Sequence, residues 1–144
     1  VALLGEAGFL GMTLPTAYGG QGRDWLDASI VIEQIARVCA VSARIVVETN
    51  MGGVSAIMAY GTEAQKQAWL EPLLAGKIRS AFAMSEPAVA SSDATNIAMP
   101  AILDNGEWVL NGEKTYISGA GDKRCKLFIC MANTNPKNER HKQH

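Results

Sequence analysis

Between Gly76 and Ser80 the periodicity of the apolar residues changes, and that change limits the chain to two kinds of structure in succession. From Val1 to about Gly76 apolar side chains recur at helical spacing, whereas after Ser80 they fall into short alternating runs punctuated by Gly and Asn. The expected fold class is α+β: an all-α helical domain over residues 1–79, then an incomplete antiparallel β-domain over residues 80–144.

Local signals mark out the helical part. A first helix ends near Gly8 to Gly11, and the loop L-P-T-A-Y-G-G-Q-G follows, in which Pro15 and three glycines forbid regular structure. Asp24 or Asp27 can cap a helix carrying Val31, Ile35, Val38 and Cys39 at helical spacing. A further helix is predicted from about Ser42 to Tyr60, with Ile45, Val46, Val54, Ile57 and Met58 around Gly52-Gly53. Glycine inside a helix costs about 1 kcal/mol relative to alanine, so close helix packing or room for a ligand must compensate. Thr62 and Gln65 form a capping box for the next helix, which buries Ala68, Trp69, Leu70, Leu73 and Leu74, is kinked by Pro72 and ends at Gly76.

Beyond the strand-like segment Ser80 to Met84, two Asn-Gly pairs separate the runs I-A-M-P-A-I-L, E-W-V-L and E-K-T-Y-I-S. Asn-Gly suits the turn that matches strand twist, because both central residues need positive φ, and a three-stranded antiparallel meander is predicted. Pro100 cannot donate to a ladder, which puts its strand at an edge or a bulge. Lys126 to Ala132 reads as a fourth strand, buried on both faces because its apolar character is nearly continuous.

The 144 residues are 48% apolar and 19% charged with a net charge of -1, which excludes a disordered chain and gives no reason to expect nucleic acid as a partner. The apolar stretch from Ala28 to Val47 is broken by Glu33, Arg37 and Arg44, so no transmembrane segment is expected. Cys39, Cys125 and Cys130 show no C-x-x-C spacing; a structural, buried role in a reducing compartment is expected of them, and neither a disulfide framework nor a zinc site. His141 and His144 lie in a polar tail read as solvated. The chain starts at Val1 rather than Met, and a sheet stopping at its end would leave an open edge, so truncation at both ends is expected.

The segment F-A-M-S-E-P-A-V-A-S-S-D-A-T-N, Phe82 to Asn96, gathers small residues and hydroxyls where a strand ends. Such a loop can approach a flat polar ligand closely, or its hydroxyls can satisfy their own backbone.

Four motifs together resemble the acyl-CoA dehydrogenase family across essentially the whole chain. Gly61 to Gly76 is similar to G-T-E-x-Q-K-x-x-x-L-x-P-L-x-x-G, and Phe82 to Asp93 to a strand ending in F-x-x-T/S-E-P with a small-residue loop closing in S-D. Asn111 to Ser118 is similar to N-G-x-K-x-W/Y-I-S/T, and Pro15 to Gly20 to an early P-T-A-Y-G-G loop. The usual T-E-P-G-A-G-S-D stands here as S-E-P-A-V-A-S-S-D, one residue longer, and the usual tryptophan and threonine are Tyr116 and Ser118. The longer loop with A-T-N, and the later D-K-R-C-K, most resemble a branch sometimes fused to a phosphotransferase-like domain.

The resemblance implies FAD as cofactor. Phe82, Ala83, Met84, Ser85, Ser91 and Ser92 would line the isoalloxazine and ribityl chain, Tyr116 and Ile117 the ring, and Ser118 its reactive nitrogen. Ser92 would also contact the acyl-CoA substrate. Hydrogen bonds from such residues stabilise the charge arriving with a hydride, at about 1 kcal/mol net each.

In the family a carboxylate removes the proton α to the thioester carbonyl while the β hydride passes to the flavin, giving a trans-2-enoyl-CoA in fatty-acid β-oxidation. That carboxylate belongs to a C-terminal helical domain lacking here, so no catalytic residue is assigned, and Glu86 matches a structural position. The resemblance further implies an electron-transfer flavoprotein as partner and a homodimer or homotetramer. It places the protein in the bacterial cytoplasm, or in the mitochondrial matrix or peroxisome of a eukaryote. Acyl-CoA oxidases, nitroalkane oxidases and some flavin monooxygenases share the scaffold. The close S-E-P and T-E-A-Q-K matches favour the dehydrogenase. The missing base and absent loop glycines would also suit a non-catalytic interaction module.

Overall fold

The computed structural model describes residues 1–90 and 93–139. Helices α1 (Ala2–Glu6), α2 (Trp25–Ala36), α3 (Ala40–Met51), α4 (Gly53–Tyr60) and α5 (Glu63–Leu74) precede strands β1 (Arg79–Ala83), β2 (Ala101–Asp104), β3 (Glu107–Leu110) and β4 (Cys125–Cys130). The described residues form two compact units, one of Val1–Ser80 with Gly121–Leu127 and one of Ala81–Ala120 with the residues from Phe128 on. No helix among the described residues is long and apolar enough to cross a membrane.

In the first unit Leu10, Leu14, Val46, Val54, Leu70 and Leu73 are buried. The helix starts follow their sequence signals: Asp24 caps α2 by accepting the Asp27 N–H at 2.9 Å, and Thr62 and Gln65 form the reciprocal capping box of α5. Asn50 is a buried polar staple. Its amide donates to the carbonyls of Phe9 at 3.1 Å and Val46 at 2.8 Å, and its side-chain oxygen accepts the Thr13 N–H at 3.1 Å. Gly20 approaches the chain closely, since a Cβ there would lie 2.2 Å from the Leu14 carbonyl oxygen. Ion pairs run from Glu48 on α3 to Arg79, on to Asp122 at 3.6 Å and then to Arg124 at 2.7 Å.

Several helical expectations need correction. Helix α2 ends at Ala36, so Val38, 91% exposed, and Cys39 lie beyond it. The single helix expected from Ser42 to Tyr60 is two, broken at Gly52, whose ψ of -126° leaves the helical region and where a Cβ would meet the Glu48 carbonyl oxygen at 2.7 Å. The glycine pair therefore marks a break between helices rather than a weak point inside one. Ala68 is exposed, while Leu70, Leu73 and Leu74 carry the buried side of α5. None of the three cysteines is buried.

In the second unit β2 and β3 form an antiparallel hairpin in the register Ala101↔Leu110 to Asp104↔Glu107. Its turn residues Asn105 and Gly106 have φ of 49° and 87°, as the Asn-Gly signal requires. The hairpin exposes apolar side chains on both faces, among them Ile102, Val109, Leu103 and Trp108. Strand β4 pairs with β1, and within this unit the Met131 N–H donates to the Ala83 carbonyl at 3.0 Å.

Just past β4, Asn133 bridges in parallel to Pro100 at the start of β2. That bridge uses the Met99 carbonyl and the Ala101 N–H, so the missing proline N–H is never called upon. Met99, Ala101 and Ala132 form a small core here.

The predicted third strand of the meander does not form. Gly112 lacks positive φ and lies against Met99, where a Cβ would meet its Cγ at 2.5 Å, and the residues after it bond elsewhere. β4 is also not buried on both faces: Lys126 and Phe128 are exposed, alternating with half-buried neighbours.

Candidate functional site

All described parts of the expected site lie in the second unit. Along β1 the alternation of a half-buried strand holds Ala81 and Ala83 inside and leaves Phe82 exposed. Met84 and Ser85 are half-buried, and Glu86, which Pro87 fixes in an extended exit from the strand, is buried. Ser91 and Ser92, to which ring and substrate contacts are expected, lie outside the described residues.

A carboxylate buried at a strand exit needs donors, and Glu86 has them. Its oxygens accept the N–H groups of Ala98 at 2.9 Å and Met99 at 3.0 Å and the Lys114 ammonium at 2.8 Å. Burial alone pushes its carboxyl up, but the bond from Lys114 and the two backbone N–H groups outweigh it, so the group titrates below its ordinary value. With its oxygens engaged this way, Glu86 acts as a clip between strand exits, and proton abstraction from a substrate is not its geometry.

The same lysine donates to the Met84 carbonyl at 2.9 Å, and the next residue, Thr115, donates its N–H to the Ser85 carbonyl at 2.9 Å. The exit of β1 and the segment Lys114 to Ser118 are thereby fastened side by side. The contact runs through the Ser85 backbone rather than its hydroxyl.

Tyr116 follows with φ of 55°, a left-handed conformation uncommon for a residue with a Cβ. Its ring is 95% exposed. Ile117 is half-buried and Ser118 exposed. An unpacked aromatic face, an exposed hydroxyl and a backbone edge fixed beside them fit a flat, polar-edged ring such as a flavin, with Met84, Ser85, Tyr116 and Ser118 available to hold it.

Beyond the loop, Asp93 caps a short 3₁₀ turn, Ala94–Asn96, by accepting the N–H and hydroxyl of Thr95 at 3.0 and 2.7 Å. An open cavity of about 570 Å³ lies alongside, lined by Val89, Ala90, Thr95, Asn96, Ile97, Ala98 and Asn133.

Sequence reasoning did not single out Lys114. The available signal was a Glu-Pro directly after an apolar strand, since a carboxylate carried inward there demands a cation from elsewhere.

Residues 1–77 match the family model for the acyl-CoA dehydrogenase N-terminal domain, and residues 81–144 match that for the middle domain. A 3-sulfinopropanoyl-CoA desulfinase of Cupriavidus necator is 47% identical over 122 residues, which is 85% of this chain and 30% of that protein. Acyl-CoA dehydrogenase family member 10 of Mus musculus is 51% identical over 94 residues, 65% of this chain and 9% of that protein. The crystal structure of a glutaryl-CoA dehydrogenase from Mycobacterium smegmatis in complex with FADH2 superposes with a TM-score of 0.85 at 26% identity, covering 93% of this chain and 34% of that one. The chain thus spans about a third or less of the length of these relatives. With two family models in tandem along its length, it belongs to the acyl-CoA dehydrogenase family.

Proposed function

We propose that this chain supplies part of the flavin-binding wall of an FAD-dependent enzyme that oxidises an acyl-CoA thioester to the trans-2-enoyl-CoA. The observation that carries the reading is the bond from the Thr115 N–H to the Ser85 carbonyl, which brings the strand exit alongside the exposed ring of Tyr116. FAD, when bound, accepts the hydride that leaves the β carbon of the substrate. In this reading Tyr116 packs on the flavin face, Ile117 backs the ring, and Ser118 donates near its reactive nitrogen. The loop from Phe82 to Ser92 touches the isoalloxazine and ribityl chain, with the Ser85 hydroxyl and local backbone holding the polar edge of the ring, and Ser92 also touches the acyl-CoA. Donors fixed before the reaction stabilise the incoming negative charge without reorganising. The α proton leaves to a carboxylate outside these 144 residues, and electrons pass on to an electron-transfer flavoprotein.

The test is the complete gene product purified and titrated with FAD. A yellow protein whose bound flavin is reduced by an acyl-CoA, and reoxidised by an electron-transfer flavoprotein, supports the reading; a colourless protein that FAD does not reconstitute rules it out. The 47% identity to a desulfinase favours one second reading, a thioester of the same kind losing a sulfinate group. Sulfite release from 3-sulfinopropanoyl-CoA without flavin reduction selects it.

A further inference from the structure

The two segments assigned to the flavin are held together by a residue that makes none of the assigned contacts. The Lys114 ammonium reaches the Met84 carbonyl at 2.9 Å and Glu86 at 2.8 Å, and the two side chains of the ion pair are only 10% and 6% exposed. Glu86 is anchored in turn by the N–H groups of Ala98 and Met99, so the lysine is tied to a fixed point. From it the chain runs through Thr115, bonded to the Ser85 carbonyl, to Tyr116. Among the described residues Tyr116 and Asn105 are the two non-glycine positions with positive φ. Asn105 has an Asn-Gly turn to account for it. Tyr116 has no such local reason, and a bulky residue stays left-handed only where its surroundings impose that backbone. Those surroundings are the two preceding residues, one bonded through its ammonium and one through its N–H.

We propose that Lys114 is a positioning residue: by bridging the Met84 carbonyl and Glu86 it sets the spacing between the exit of β1 and Tyr116 to Ser118, and so the width of the slot that a flavin ring enters. The inference rests on the flavin reading above. It adds that the slot is built in advance of the cofactor, by a buried ion pair that touches neither ring nor substrate.

Lys114→Met alone leaves the Glu86 carboxylate buried without its cation, and the protein can unfold for that reason only. The informative variant is therefore Glu86→Gln with Lys114→Met, which keeps both sizes, removes both charges and still loses the bond to Met84. In the complete gene product two readouts are taken at matched melting temperature. Without flavin, hydrogen exchange at the Thr115 amide is expected to quicken roughly tenfold or more in the double variant. With flavin, the long-wavelength absorption band shifts and FAD binds roughly tenfold more weakly.

Wild-type exchange at Thr115 overturns the proposal, as does a wild-type spectrum and FAD affinity. Loss of cooperative melting in the double variant overturns it as well, because the pair then serves folding itself. A wild-type protein that takes up no FAD removes the flavin reading and this role together, whereas normal FAD binding by the double variant removes the role alone.

Discussion

The Tyr18 hydroxyl donates to the Glu63 carboxylate at 2.7 Å, tying the P-T-A-Y-G-G loop to the first turn of α5. Lys66 completes the cluster, 2.9 Å from Glu63 and 5.8 Å from the centre of the tyrosine ring. Two stretches that carry the family resemblance thus meet through side chains forty-five positions apart.

That hydrogen bond is the main reason the Tyr18 phenol titrates above its ordinary value, and with Lys66 it holds Glu63 below the usual carboxylate range. Glu63→Ala should bring the Tyr18 titration back down, read from the ring carbon shift of ¹³C-labelled tyrosine against pH. The depressed Glu63 contributes stability that is present above its unfolded pKa and is lost as pH falls through the lower folded value. An unmoved Tyr18 titration would contradict the contact.

Asn50→Ala should destabilise the protein by about 3 kcal/mol, because it strands the Thr13 N–H and the Phe9 carbonyl at once in a buried site. Urea unfolding measures this as a lower midpoint with an unchanged slope. A loss within about 0.5 kcal/mol would show that water replaces the amide.

Gly20→Ala should lower stability by about 2–3 kcal/mol, since the new methyl would meet the Leu14 carbonyl at 2.2 Å against backbone that cannot yield cheaply. Gly121→Ala is its control, with nothing within 4 Å of the added carbon. Thermal melting of the two variants should separate them clearly.

Acid unfolding should report on Glu86. Its folded pKa lies below its ordinary value, so its share of stability is present above an unfolded pKa of about 4.3 and disappears as pH drops through the folded pKa. Glu86→Gln should flatten stability against pH in that acid window. A pH profile identical to wild type would mean the carboxylate is not ionised in its niche.

What the sequence made legible was local. The capping box of Thr62 and Gln65, the Asp24 cap and the Asn105-Gly106 turn each depend on residues within a few positions of one another, and the structure has all of them. Asn111-Gly112 carries the same dipeptide and predicts the same turn, yet Gly112 is small because Met99 lies against it, a reason thirteen positions distant. The apolar period of α2 runs on in the sequence to Val38 and Cys39 for a similar cause, since nothing nearby announces that the helix stops at Ala36. At the site, Tyr116 and Ser118 are exposed, and the pairing of Lys114 with Glu86 joins residues twenty-eight positions apart, which no local pattern specifies.

The β2–β3 hairpin has a practical consequence for anyone handling this polypeptide. Neighbouring positions on a strand point to opposite sides, so Ile102 with Val109 oils one side of the ribbon and Leu103 with Trp108 the other. A ribbon greasy on both sides is adhesive in concentrated solution. Light scattering should climb with protein concentration while the helical circular dichroism signal holds steady, and Trp108 emission should move to the blue as particles grow.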